Sequence, residues 1–289
     1  MNAETLETEL HRRAAEVHTY LDSWFASLQE ERGNAMGRLF ESMAYSALGP
    51  GKRFRPVLAL LAGESLKTPI MKTLPWAAAV EMVHTYSLIH DDLPCMDDDD
   101  ERRGRPTNHK AFDEATALLA GDALLTEAFG LIGEAYSGLG TTAGKLVSVL
   151  AQAAGAQGMV GGQSLDLAAE KAGRVSLEDL ERIHELKTGR LIRAAVEGAA
   201  IVAEAPAKTV AAFAQYGARL GLAFQIADDI LDSAQDGQDG RSYIAHLGLE
   251  GTREILASVS EEARVALNEI PHAHPALYAL IDWNQNREK

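Results

Sequence analysis

The stretch TLPWAAAVEMVHTYSLIHDD, residues 73–92, decides how the chain is read. Its apolar residues recur three and four apart, the period of a helix. It shows no β-branched alternation, and it runs directly into two aspartates. The same period returns in AFDEATALLAGDALLTEAFGLI (111–132) and VAAFAQYGARLGLAFQIADDILD (210–232). Thr73 reads as a cap ahead of LPWAAA, and Ser176, followed by Glu178 and Asp179, as another. Glycine and proline clusters break the pattern at LGPGKRFRP (48–56), RRGRPT (102–107) and QDGQDGR (235–241). No Pro/Ser/Gly linker separates two halves. The expectation is an all-α fold, a single domain over residues 1–289.

The chain has 289 residues, 46% of them hydrophobic, enough for a large core. A formal net charge of -15 argues against nucleic acid as a partner. It leaves room for small phosphorylated substrates, which need only a few well-placed cations. The single cysteine, Cys95, forms no internal disulfide and fits a reducing compartment. MNAETLETELHRRAAEVHTY at the N-terminus is charged throughout, without an apolar signal core. No run of about 18 apolar residues is present, so no stable membrane association is expected. The expected location is cytoplasmic.

DDLPCMDDDDERR, residues 91–103, packs seven carboxylates into eleven residues. Bare like charges at 4 Å repel by roughly 4 kcal/mol at an effective dielectric near 20. Taken alone, the run reads equally well as a solvated loop or a cation site. A second cluster, DDILD at 228–232, favours the cation site. Asp228 and Asp232 are four apart and share a helix face, with Gln225 on the same side. Both clusters fall near helix C-termini, where each carboxylate is disfavoured by roughly 0.3–1 kcal/mol. An oxygen-only donor set without a His/Cys cluster selects a hard ion, magnesium over zinc. Asp99, Asp100 and Glu101 read as surface or supporting residues.

Basic groups stand out in so acidic a chain. GPGKRFRP places Lys52, Arg53 and Arg55 in one turn, with Lys52 and Arg55 spaced to face one anion. His84 lies two helical turns before Asp91, on the same face. Arg102 and Arg103 follow the first cluster. Lys187 and Thr188 interrupt an apolar helix in ELKTGRLI, where Gly189 permits close backbone approach. KTG also occurs in serine acyl-transfer enzymes, but their S-x-x-K and S-D-N companions are missing here.

Together GPGKRFRP, EMVHTYSLIHDDLPCMDDDDERRGRPTNHKAF, LLAGDALL, GMVGGQSLDL, HELKTGRLI, GLAFQIADDILD and the terminal NREK resemble the trans-polyprenyl diphosphate synthases. Within that family the likeness is to its short-chain bacterial farnesyl diphosphate branch. The resemblance covers nearly the whole chain. It implies a bundle of long helices around a deep central cavity, the isoprenoid synthase type, and a homodimer. It implies magnesium ions held by Asp91 and Asp97 with Asp92 in support, and by Asp228 with Asp229 and Asp232 nearby. Isopentenyl diphosphate would be held by Lys52, Arg55, His84 and Arg103. The allylic diphosphate would be held by Arg102, Lys187, Thr188 and Gln225. The growing tail would run down the helix before Asp91 to Tyr86, about 7.5 Å back along the axis, with the small Ser87 beside it. That aromatic, with the long LPCM spacer, resembles a farnesyl-type pattern.

The sequence departs from the family in one place. After DDILD the family carries a longer loop with lysines, whereas SAQDGQDGRSYIAHLGLE (233–250) is short and has none. Arg241 is the candidate substitute, although Arg and Lys differ in reach and geometry. Geranylgeranyl or geranyl diphosphate synthesis is the alternative within the class. A terpene cyclase would need no second diphosphate site, and a non-catalytic partner subunit would be expected to lack one aspartate motif.

Overall fold

The computed structural model describes residues 1–32, 36–173, 175–232 and 240–287. Its elements, in chain order, are α1 (Ala3–Arg32), α2 (Gly37–Ala47), α3 (Phe54–Ser65), α4 (Ile70–Asp91), β1 (Glu101–Arg102), β2 (Arg105–Pro106), α5 (Asn108–Ala111), α6 (Glu114–Ala135), α7 (Thr142–Ala154), α8 (Met159–Ala172), α9 (Leu177–His184), a π-helical turn (Glu185–Gly189), α10 (Arg190–Val202), α11 (Ala207–Asp232), α12 (Tyr243–Asn268) and α13 (Pro275–Asn286). The fold is all-α, as the helical period implied, with one two-stranded ribbon.

Helix α4 is buried without interruption from Thr73 to Val83. A helix apolar on every face belongs inside a bundle, and α4 touches α1, α2, α3, α6 and α10. Pro75 lies within it and breaks the backbone ladder. Tyr136, at the end of α6, repairs the gap. Its hydroxyl accepts from Trp76 N at 3.0 Å and donates to the Lys72 carbonyl at 2.8 Å. Trp76 also donates from Nε1 to the Ala195 carbonyl of α10 at 2.8 Å. The indole fits because Gly198 opposite carries no Cβ, which would overlap the ring.

A second, smaller core joins α9, α11 and α12 through Leu180, Ile226, Tyr243 and Leu256. At the other side Arg13, only 5% exposed, donates to Glu9 and Glu16 and reaches Glu64, tying α1 to α3.

Three local readings are corrected. α4 begins at Ile70 after Pro69, so Thr73 is a buried interior residue packed on Gly63 and not a cap. Ser176 does cap α9, accepting from Asp179 N at 3.1 Å. RRGRPT is a tight hairpin, not only a break: Arg103 and Gly104 both take positive φ, matching the twist of the two strands. Among the described residues one helix, α6, is long and apolar enough by composition to cross a membrane, where the sequence alone showed no such run. Its buried face packs on α4 and α2. Most of the QDGQDGR break lies outside the described residues.

Candidate active site

The first aspartate cluster is built by the end of α4. The LPCM spacer folds into turns, with Met96 N donating to the Leu93 carbonyl at 2.8 Å. Asp97 N then donates to the Asp91 carbonyl at 2.8 Å, so the two aspartates return to one place despite the spacer. Burial pushes the Asp91 carboxyl up to about 6; Lys187 opposes the shift, and Asp97 and Asp92 add to it. Asp97 is raised as well, by burial first. Asp92 is buried and accepts from Arg102 Nε at 2.6 Å. Arg102 also meets Asp99 at 3.3 Å, and Asp100 pairs with Lys110 at 2.6 Å. Arg102 is thus the internal counter-charge of the cluster.

The basic turn separates its three cations. Arg53, at left-handed φ, is buried on Glu81 at 2.7 Å and on the carbonyls of Ala47 and Gly49. Lys52 is exposed. Arg55 lines the central cavity, and its Nε is buried without a hydrogen-bond partner. Burial lowers Arg55 to about 10, with Glu81 opposing. His84 is held well below its ordinary range by burial, then by Arg55, Arg103, Arg53 and Arg102. It is therefore neutral at pH 7. Arg103 donates to the Pro50 carbonyl at 2.9 Å, bringing the hairpin against the turn. An unpartnered guanidinium nitrogen beside a neutral imidazole suits an anion that would supply acceptors to both.

The second cluster ends the described part of α11. Burial raises the Asp228 carboxyl; Arg287 opposes it, Asp232 adds to it, and the field of Lys52 lowers it. The same basic turn therefore reaches both walls, Lys52 towards Asp228 and Arg55 into the cavity that Asp91 lines. Asp229 accepts from Tyr243 N at 2.7 Å, at the start of α12. Asp232 is exposed and Gln225 half-buried. Most of the shortened loop read from the sequence, residues 233–239, lies outside the described residues.

Beside the first cluster and Arg55 of the basic turn lies a cavity of about 470 Å³, lined among others by Tyr86, Ser87, Asp91, Met159, Lys187 and Thr188. Lys187 and Thr188 sit in the π-helical turn, which widens the helix locally, a feature frequent at functional sites. Gly162 of α8 makes this fit possible: a Cβ there would overlap the backbone of Lys187. Gly221 of α11 likewise approaches Gly189, though less tightly.

The sequence pattern of polyprenyl synthetases matches residues 37–243. The chain belongs to the polyprenyl synthetase family. It is 42% identical over 270 residues to the farnesyl diphosphate synthase of Bacillus subtilis, covering 89% of this chain and 91% of that one. It is 44% identical over 267 residues to the farnesyl diphosphate synthase of Escherichia coli K12, covering 86% and 89%. The crystal structure of an FPP/GFPP synthase from Zymomonas mobilis superposes with a TM-score of 0.89 at 36% identity, covering 98% of this chain and 100% of that one.

Two partners in this polyprenyl synthetase site were not assigned from sequence. Asp166 of α8 accepts from Lys187 Nζ at 2.5 Å, and its field, like that of Lys187, reaches Asp97. Its motif, GMVGGQSLDL, was visible, but nothing local marked it as the lysine's mate. Arg287, beyond α13, contacts the Asp228 carboxylate and donates to the Phe224 carbonyl at 3.2 Å. Its guanidinium lies over the Phe224 ring, 4.2 Å from the centroid. A pairing across 59 residues leaves no periodic trace.

Among the described residues, one trio of side chains has donor atoms within 4.8 Å of one another: Glu9, Glu64 and His274. Arg13 already bonds both of those carboxylates.

Proposed function

We propose that this chain is a farnesyl diphosphate synthase, working as a single catalytic domain that extends dimethylallyl and then geranyl diphosphate with isopentenyl diphosphate. The observation that carries this reading is the convergence on one cavity of a raised Asp91, the cation Lys187 and the unpartnered Arg55, in a chain similar over most of its length to farnesyl diphosphate synthases.

In each cycle the allylic C–O bond breaks and diphosphate leaves with the electron pair. The double bond of isopentenyl diphosphate then attacks the allyl carbon. One proton is lost, to the departing diphosphate, and a new double bond remains. Asp91, Asp97 and Asp228, with Asp92, Asp229 and Asp232 in support, would hold magnesium, which would supply Lewis-acid stabilisation of the leaving charge. The donor set fits such an ion: Asp91 and Asp228 are half-buried, and burial raises both above the ordinary carboxylate range. Lys187, Thr188, Gln225 and Arg102 orient the allylic diphosphate. Lys52, Arg55, His84 and Arg103 hold the second diphosphate, and a neutral His84 does so as a hydrogen-bond donor. Apolar walls from Met159, Leu167 and Tyr86 exclude water from the carbocation, and Tyr86 with Ser87 closes the far end.

The exposed Leu118 and Leu119 of α6, 47% and 57% accessible, support a homodimer. The single exposed Cys95 supports a reducing cytoplasm as the working compartment.

The deciding assay incubates the purified chain with magnesium, labelled isopentenyl diphosphate and geranyl diphosphate, followed by chromatography of the released alcohols. Farnesol as the main product is expected. Geranylgeraniol as the main product would move the chain to the longer-chain alternative, and no uptake of label would overturn the reading.

A further inference from the structure

Tyr86 is the floor of the pocket, and the wall towards α6 is a separate position. His90 occupies that position. It is one turn above Tyr86 on the same helix face, next to Asp91, and both rings line the 470 Å³ cavity. The two rings meet edge to face, with centroids 5.7 Å apart at 78°. On its other side His90 donates from Nε2 to the Leu118 carbonyl of α6 at 2.9 Å. The Asp122 carboxylate lies 4.0 Å from the same nitrogen. The imidazole reaches α6 only because residue 121 is glycine: a Cβ on Gly121 would overlap the ring. Gly121 is buried in α6, at van der Waals packing with α4, where a helix interior otherwise favours alanine by about 1 kcal/mol. A glycine kept at that cost, an imidazole seated in its notch and a tyrosine leaning on the imidazole form one stack from α6 to the cavity.

We propose that His90, seated in the Gly121 notch, is a specificity-determining wall of the tail pocket and fixes product length by bracing Tyr86. The proposal rests on the prenyl-elongating reading of the site. It adds a second residue, on the α6 side of the pocket between Asp91 and Tyr86, whose size and anchorage limit the tail.

Three variants test it. His90→Ala removes the wall and the brace, so tails should pass further. Gly121→Ala evicts the ring from its notch, and the free volume beside it is the cavity, so tails should stop earlier. His90→Gln retains an amide donor for the Leu118 carbonyl and should stay near the parent. The readouts are the C20:C15 product ratio and, by calorimetry, the ratio of affinities for geranylgeranyl and farnesyl diphosphate. For His90→Ala each ratio is expected to rise at least ~10-fold, the scale on which small pocket changes discriminate substrates. For Gly121→Ala both should fall. The affinity ratio is read even if a variant turns over poorly. Loss of melting temperature with both ratios unchanged would mean His90 only ties α4 to α6, and the proposal would be overturned. Failure of the parent chain to consume isopentenyl diphosphate would instead sink the proposed function, a separate outcome.

Discussion

Asp91 is where a single carboxyl reports on the whole site. Burial first, with Asp97 and Asp92 adding, moves it from 3.8 to about 6. A raised carboxyl holds its proton more tightly folded than unfolded. Its contribution to stability is therefore present below about pH 4 and is lost as the pH climbs through about 6. Asp91→Asn should raise the melting temperature of the metal-free protein at about pH 7.5 and do little at about pH 4.5. Differential scanning calorimetry at the two pH values checks this, and a gain independent of pH would mean that ionisation of Asp91 is not the cost. The identity of this aspartate was legible in sequence, because crowded charges at a helix end break a local rule. Its partners were only half legible. Arg102 sits in the same run, whereas the Lys187–Asp166 pair is made by packing α8 on the π-helical turn, which no local pattern announces.

At the scale of elements, helix period carried most of the fold, and its failures are informative. The ribbon β1–β2 is two residues per strand, too short for any alternation to appear. The π-helical turn adds no new residue type; it is stabilised by glycines on neighbouring helices. Gly162→Ala should therefore push the Lys187 backbone away. Displacement on the order of 1 Å at a catalytic group costs ~100-fold in kcat, and overpacking costs about 1–3 kcal/mol of stability. Gly133→Ala on α6, which meets nothing within 4 Å, is the control: turnover should not change, and the urea midpoint should rise slightly, by at most about 1 kcal/mol of stability. The α4 start was misplaced because Pro69 outweighs Thr73 as a boundary. The hydroxyl of Tyr136 makes Pro75 tolerable. Tyr136→Phe should leave Trp76 N and the Lys72 carbonyl without that partner inside the core, at about 1–3 kcal/mol, read as a lower urea midpoint at unchanged slope.

Over the whole molecule, the proposed function needs two acidic helix ends, far apart in sequence, to act together. The basic turn at residues 49–56 joins them, with Lys52 acting on Asp228 and Arg55 facing the space beside Asp91. Asp91→Ala and Asp228→Ala should each lower turnover by at least ~100-fold, the scale of one lost electrostatic contact in a transition state. Circular dichroism should stay at the parent level, since neither side chain packs in the main core. Near-normal turnover of either variant at saturating magnesium would reject the two-wall arrangement. Arg287 has a practical bearing on how such experiments are set up. It lies two residues before Lys289, docks over the Phe224 ring and touches Asp228. A purification handle fused behind Lys289 would crowd the second acidic helix end and depress measured rates for reasons unrelated to the mutation under study. Affinity tags therefore belong ahead of Met1, where α1 starts at an exposed surface remote in sequence from both aspartate clusters.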